Sequence, residues 1–301
     1  MSKWFAKNNV KAIYCPEDDD DSDKDLYPVC LKYSDSLPKI EEPFVQEQWM
    51  SNPREYKVFN SYENVKKMSK VRLSKLKLME IMSYFEIPWK SEGSGVLYIG
   101  MKNGPGHFEG THVALKDIGS KALAAETTKY ETIVAYGIKK NEDSSVDEQY
   151  LLKTLYNEAV FAMKHQTENG TFVMRMYDIA SKPTIQLIYL LTTMYKKVSL
   201  IKPRTSRDYS LERFVVCQGF KNEETYVDSL EYASSKKFYI KDLFNKSMFS
   251  LKDNADLVSD IVLFNAAVKN RLSFADKKNR LSTKQNTLAI EFCGFFLQDK
   301  Y

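Results

Sequence analysis

Asn169-Gly170-Thr171-Phe172-Val173-Met174-Arg175-Met176-Tyr177-Asp178 opens the stretch that decides the fold, and Lys202-Pro203-Arg204-Thr205-Ser206-Arg207, then Leu211-Glu212-Arg213-Phe214-Val215-Val216-Cys217-Gln218-Gly219-Phe220, closes it. Thr171–Tyr177 and Arg213–Gln218 are short apolar runs rich in β-branched or aromatic residues, which reads as strand. Between them Thr184–Tyr195 has the period of an amphipathic helix. A strand, a helix and a second strand entered through a basic loop put a candidate site at a sheet edge.

Outward from this stretch, Ser61–Phe85 is expected to be one helix: Val65, Met68, Leu73, Leu76, Met79 and Met82 recur at spacings near three and four. Its polar face would carry Lys66, Lys67, Lys70, Arg72, Lys75 and Lys77. Gly93–Gly95 lead into a strand, Val96–Gly100, which ends in a glycine-rich turn, Met101–Phe108. Such a turn lets backbone amides approach a ligand. A further strand covers Thr132–Tyr136. Ser145-Val146-Asp147-Glu148 is a capping-box pattern that opens a helix with Leu152, Leu155, Tyr156, Ala159, Val160 and Met163 on one face. Asn169-Gly170 is expected to end that helix. Strands alternating with helices predict an α/β fold, a mostly parallel sheet with helices on both faces. Beyond Lys221 the pattern is mainly helical, clearest in Ala255–Val268, and ends in the basic segment Lys269–Lys284. Val45–Phe59 reads as a short strand or a docked arm.

The 301 residues carry a net charge of +4, unevenly spread. Residues 1–50 hold eleven acids against six lysines, a balance of −5 that leaves +9 for the remainder. The run Asp18–Asp21 repels itself and is expected to be a solvated loop. The basic body favours a polyanionic partner. Four cysteines without a Cys-x-x-Cys pair argue against zinc and against a disulfide framework, and fit a reducing compartment. His107 and His112 lack supporting acids, so no metal is expected. The N-terminus has no continuous apolar core, and no uncharged apolar run approaches the roughly 20 residues needed to cross a bilayer. A soluble, intracellular protein without membrane contact is the expectation.

With these elements in order, the chain resembles the FtsJ-type ribose 2′-O-methyltransferases, nearest to the viral and eukaryotic mRNA-cap members. The resemblance runs from about Val71 to Phe220. It is carried by Lys202, Pro203, Ser206, Arg207, Glu212 and Val215–Phe220, by Gly170–Val173, by Leu76–Ile81, and by Gly104–Phe108, all in the family's order. It implies a Rossmann-like sheet of seven strands whose last hairpin is antiparallel. It divides the chain into an acidic arm at 1–58, the methyltransferase-like domain at 59–222 and a mainly helical basic extension at 223–301.

The resemblance further implies S-adenosylmethionine as cofactor, held by Gly100, Asn103, Gly104, Pro105, Gly106, His107, Phe108 and Glu126. It implies RNA, capped or structured, as partner, contacted by Lys70, Arg72, Lys75, Lys202, Arg204, Ser206 and Arg207, with cytoplasm (of a host, or a virion, if the chain is viral) as the place of work. The family's Lys-Asp-Lys-Glu tetrad falls on Lys77, Tyr136, Arg175 and Glu212, so its acid and its central lysine are both replaced. Arginine stays protonated and cannot act as a base, and Arg175 is expected to pair with Glu212. Asp178 is the candidate to replace the lost acid. Two readings follow: an active cap-type methyltransferase with a remodelled site, or a pseudoenzyme that binds RNA or a partner protein. A generic nucleotide-binding α/β protein stands behind them, and a sheet without the antiparallel hairpin would favour it.

Overall fold

The structure is a computed structural model, and it describes residues 10–14, 63–88, 95–101, 110–114, 127–137, 148–176, 179, 182–206, 212–221, 255–273, 287 and 289–293. Its elements, in chain order, are β1 (Val10–Tyr14), α1 (Glu63–Ser69), α2 (Leu73–Tyr84), β2 (Val96–Ile99), β3 (Thr111–Val113), β4 (Tyr130–Ala135), α3 (Glu148–His165), β5 (Gln166–Met176), α4 (Lys182–Met194), β6 (Tyr195–Ile201), β7 (Arg213–Phe220) and α5 (Ala255–Ser273).

The strands form one seven-stranded sheet in the order β1-β6-β7-β5-β4-β2-β3. Pairings among β3, β2, β4 and β5 are parallel, while β7 runs antiparallel to both β5 and β6, and β1 antiparallel to β6. Five strands therefore point one way, and only β7 and β1 oppose them. The antiparallel β6–β7 hairpin is present, which removes the reason for the generic nucleotide-binding reading.

Alternation along the strands sorts the core into two layers. Leu97, Ile99, Ile133, Ala135, Phe172, Met174, Leu200, Val215 and Cys217 face one cluster with α3, α4 and α5. Val96, Tyr98, Val134, Val173, Phe214 and Val216 face the other, which holds α2, Val65 of α1 and the helical residues 289–293. At roughly 25 cal/mol per Å² of apolar area removed from water, such two-sided burial supplies the main force holding the sheet.

Three local readings change. The helix expected over Ser61–Phe85 is two helices, because Lys70 sits at a φ of 55° between them and Ser69 Oγ accepts the Val71 N–H at 3.2 Å. Asn169-Gly170 does not end α3, which stops at His165; the pair lies inside β5, with Asn169 at a φ of 61°. Between Tyr130↔Gln166 and Thr132↔Thr171 the β5 side has extra residues, so the turn chemistry makes a bulge. Finally, β1 and β6 are strands that periodicity did not indicate. Val45–Phe59, Asp18–Asp21 and Lys277–Lys284 lie outside the described residues.

Among the described residues no helix is long and apolar enough to cross a membrane. Cys217 and Cys293 are free and buried.

Candidate active site

The carboxyl ends of β2, β4, β5 and β6 share one edge of the sheet, and the amino end of antiparallel β7 returns to it. This is the edge where open α/β sheets place their ligands. Arg175 and Glu212 have the same parity as Val173 and Phe214, so both side chains stand on the α2 face. Tyr136 packs on that same face, and α2 brings Lys77 over it.

Glu212 is the centre of the arrangement. Its carboxylate is buried, with Oε2 held by Lys77 Nζ and by the Ser206 hydroxyl at 2.9 Å, and Oε1 lying 2.7 Å from Arg175 Nε. Lys202 Nζ donates to the Glu212 carbonyl at 3.3 Å. Burial alone would raise this carboxyl's pKa, but the charges of Lys77 and Arg175, with hydrogen bonds from Lys77 and Ser206, lower it to about 2. A carboxylate so held stays ionised at any working pH.

Arg175 is set by a second group of contacts. Its guanidinium lies 4.4 Å from the Tyr136 ring centroid, and Nη1 donates a long hydrogen bond of 3.4 Å to the Tyr136 carbonyl. Tyr136 also packs against Phe214 at 5.8 Å. The pairing of Arg175 with Glu212 expected from the sequence is thus present, and Lys77 joins it.

The loop before β7 is fixed from α2. Glu80, one turn beyond Lys77 and 1% exposed, accepts the Arg204 N–H at 2.7 Å, the Thr205 N–H at 3.1 Å and the Thr205 hydroxyl at 3.0 Å. This carboxylate aims Ser206 at Glu212. Sequence reading passed over Glu80, although it lies four residues past Leu76, on the apolar side of the helix.

The expected RNA contacts divide. Lys70 and Arg72 are exposed beside exposed Lys66 and Lys67, and Lys75 and Arg204 are partly buried. Lys202 and Ser206, also expected to contact RNA, are buried and hold Glu212. Lys77 likewise leaves the exposed basic face for the interior. Arg207 and Asp178 lie outside the described residues.

Of the expected cofactor positions, Gly100 is described, while Asn103–Phe108 and Glu126 are not. Gly100 ends β2 at a φ of 71°, and a Cβ there would stand 2.3 Å from the Gly137 Cα. Main-chain packing between the ends of β2 and β4 therefore requires this glycine. S-adenosylmethionine presents ribose hydroxyls that an open acid would bind, and the described part of this edge offers none: Glu212 and Glu80 are engaged, and Glu158 is fully buried. Apart from Gly100, the residues expected to hold the cofactor lie outside the described residues. Among the described residues, no group of three His, Cys, Asp or Glu could hold a metal ion.

Glu158, on the opposite face of the sheet, was missed in the sequence. Its Oε1 accepts the Gly137 N–H at 3.0 Å, and Oε2 is buried without a hydrogen-bond partner among the described residues. Burial pushes its pKa up to about 8, although the Gly137 hydrogen bond and the Arg175 charge work the other way.

Comparison with known proteins finds the chain's central part similar to methyltransferases. The model of the FtsJ-like methyltransferase family matches residues 109–220, from the start of β3 to the end of β7. An uncharacterized protein of Acanthamoeba polyphaga mimivirus is 28% identical over 31% of this chain and 27% of its own length. The cap-specific mRNA (nucleoside-2′-O-)-methyltransferase 1 of Caenorhabditis elegans is 34% identical over 32% of this chain and 10% of its own length. The inactive cap-specific mRNA (nucleoside-2′-O-)-methyltransferase 1B of Caenorhabditis briggsae is 29% identical over 41% of this chain and 17% of its own length. In each case the match spans little more than a quarter of the relative at most.

Proposed function

We propose that this chain, which has an FtsJ-like methyltransferase fold, is an RNA-associated protein in which methyl transfer to a ribose 2′-hydroxyl has been lost. FtsJ-like methyltransferases depend on S-adenosylmethionine. The observation that carries the reading is the 2.7 Å ion pair of Arg175 with Glu212; the resemblance sets Arg175 at the place of the family's central lysine. A ribose hydroxyl is a poor nucleophile and needs a group that takes up or stabilises its proton. A guanidinium cannot be deprotonated in a protein. Lys77 is engaged with the same carboxylate, and the tetrad acid is replaced by Tyr136, whose ring covers the guanidinium.

What remains is a basic surface. Lys66, Lys67, Lys70 and Arg72 are exposed around the α1–α2 break, ahead of the helix that carries Lys77. Such a cluster suits a phosphate backbone, where each contact adds salt-dependent affinity. Capped mRNA is the RNA class placed first, because relatives of this chain are named for it. In this reading residues 59–222 are the methyltransferase-fold domain, 1–58 is an addition that lends β1 to the sheet, and 223–301 is an addition that packs α5 on its core.

The test is calorimetry with S-adenosylmethionine beside a mobility-shift titration with capped RNA. Salt-dependent RNA binding without a cofactor signal is the expected result. Micromolar cofactor binding would favour the alternative of an active enzyme with a remodelled site. Failure to bind any RNA would remove the RNA part of the proposal.

A further inference from the structure

The Tyr136–Gly137 peptide has an ionisable side chain on each side. Its carbonyl accepts from Arg175 on the α2 face of the sheet, and its N–H donates to Glu158, which rises from α3 on the other face. In a trans peptide these two groups point in opposite directions, so a single amide unit spans from Glu158 to Arg175. The peptide has little room to move: Tyr136 N–H donates to the Ile99 carbonyl at 2.9 Å, and Gly100 lies against the Gly137 Cα.

We propose that Glu158 is a positioning residue, which through the Tyr136–Gly137 peptide holds the Arg175 guanidinium in the orientation that pairs with Glu212. A polarised amide accepts more strongly at its carbonyl when its N–H is engaged, since hydrogen bonds in a chain reinforce one another. Glu158 therefore acts where the acid of the tetrad would stand, but from behind the strand end and through the backbone. Its carboxyl needs only an acceptor oxygen for this, which agrees with a group that burial keeps protonated near neutral pH. The inference does not depend on whether methyl transfer is lost, because it concerns only how Arg175 is held.

Nitrogen-15 NMR of the full chain tests it through the Arg175 Nε–H, assigned by its disappearance in Arg175→Lys. Glu158→Gln keeps an acceptor for Gly137 N–H and should leave the exchange rate of the Arg175 proton within about twofold of the unmodified chain. Glu158→Leu keeps the volume without the acceptor and should speed that exchange at least tenfold, a free-energy change of about 1.4 kcal/mol, measured at a temperature where the variant is fully folded. Should Glu158→Leu fail to fold, Glu158→Met supplies the same contrast with a more adaptable side chain. Unchanged Arg175 exchange in a folded acceptor-less variant would overturn the proposal, as would equal acceleration in Glu158→Gln.

Discussion

At the scale of the residue, the site is a buried carboxylate shared by two cations. Removing it leaves both uncompensated, and breaking a buried pair in this way costs about 3–5 kcal/mol. Glu212→Ala should therefore lower the unfolding free energy by that amount in urea, and methyl transfer need not exist for the effect to appear. The two buried acids also predict opposite pH limbs. Glu212, with a folded pKa near 2 against an ordinary 4.5, contributes stability that is present above pH 4.5 and lost as the pH falls toward 2. Glu158, with a folded pKa near 8, is charged in the unfolded chain before it is in the folded one, so stability declines as pH rises from 4.5 to 8. Urea unfolding across pH should show both limbs, each on the order of a few kcal/mol, and Glu158→Gln should flatten the second while leaving the first. Neither buried acid of the supporting set, Glu80 or Glu158, was recognised in the sequence. The available signal was position: Glu158 stands three residues after Leu155 and four before Ala162, within an apolar stripe where an unpaired acid is costly.

At the scale of the element, strand ends and helix breaks set the geometry. Gly100→Ala would place a Cβ 2.3 Å from the Gly137 Cα at a φ of 71°. The left-handed conformation alone costs roughly 1–2 kcal/mol for a residue with a Cβ, and the overlap adds to it, so a marked fall in melting temperature is expected. Lys70 at a φ of 55° is the converse case. Lys70→Gly should raise stability by up to about 1 kcal/mol while reducing the slope of RNA affinity against salt by about one charge. Stability and binding moving in opposite directions would mark Lys70 as a residue kept for contact. The motif from Lys202 to Phe220 was legible because its spacing and its strand agree, and Glu212 fell where the motif put it. β6 was not, because Lys196 and Lys197 interrupt its apolar run and it leaves α4 without a turn residue between them. β1 was hidden for a related reason: it lies in a segment whose composition is dominated by acids, and its partner strand is far away in sequence.

At the scale of the whole molecule, the sheet order and the β6–β7 hairpin agree with the FtsJ-like methyltransferase model that matches residues 109–220, and the proposal is that the chemistry of its edge has changed. Lys77, Ser206 and Arg175 converge on Glu212, and in the proposed reading Tyr136 and Arg175 stand at the substituted tetrad positions. The resemblance alone suggests this contrast, since it sets Tyr136 and Arg175 against an acid and a lysine without coordinates. It did not reach the way the substitutes are held, because that depends on a peptide gripped from both faces of the sheet. The central claim is that a site locked in this manner transfers no methyl group. Tritiated methyl transfer from S-adenosylmethionine to capped RNA measures it most directly, run on the full chain beside an active cap 2′-O-methyltransferase and a Tyr136→Asp/Arg175→Lys double variant. The account predicts background counts for the unmodified chain at all RNA concentrations, with any activity confined to the control and the double variant. Turnover by the unmodified chain above background would contradict it.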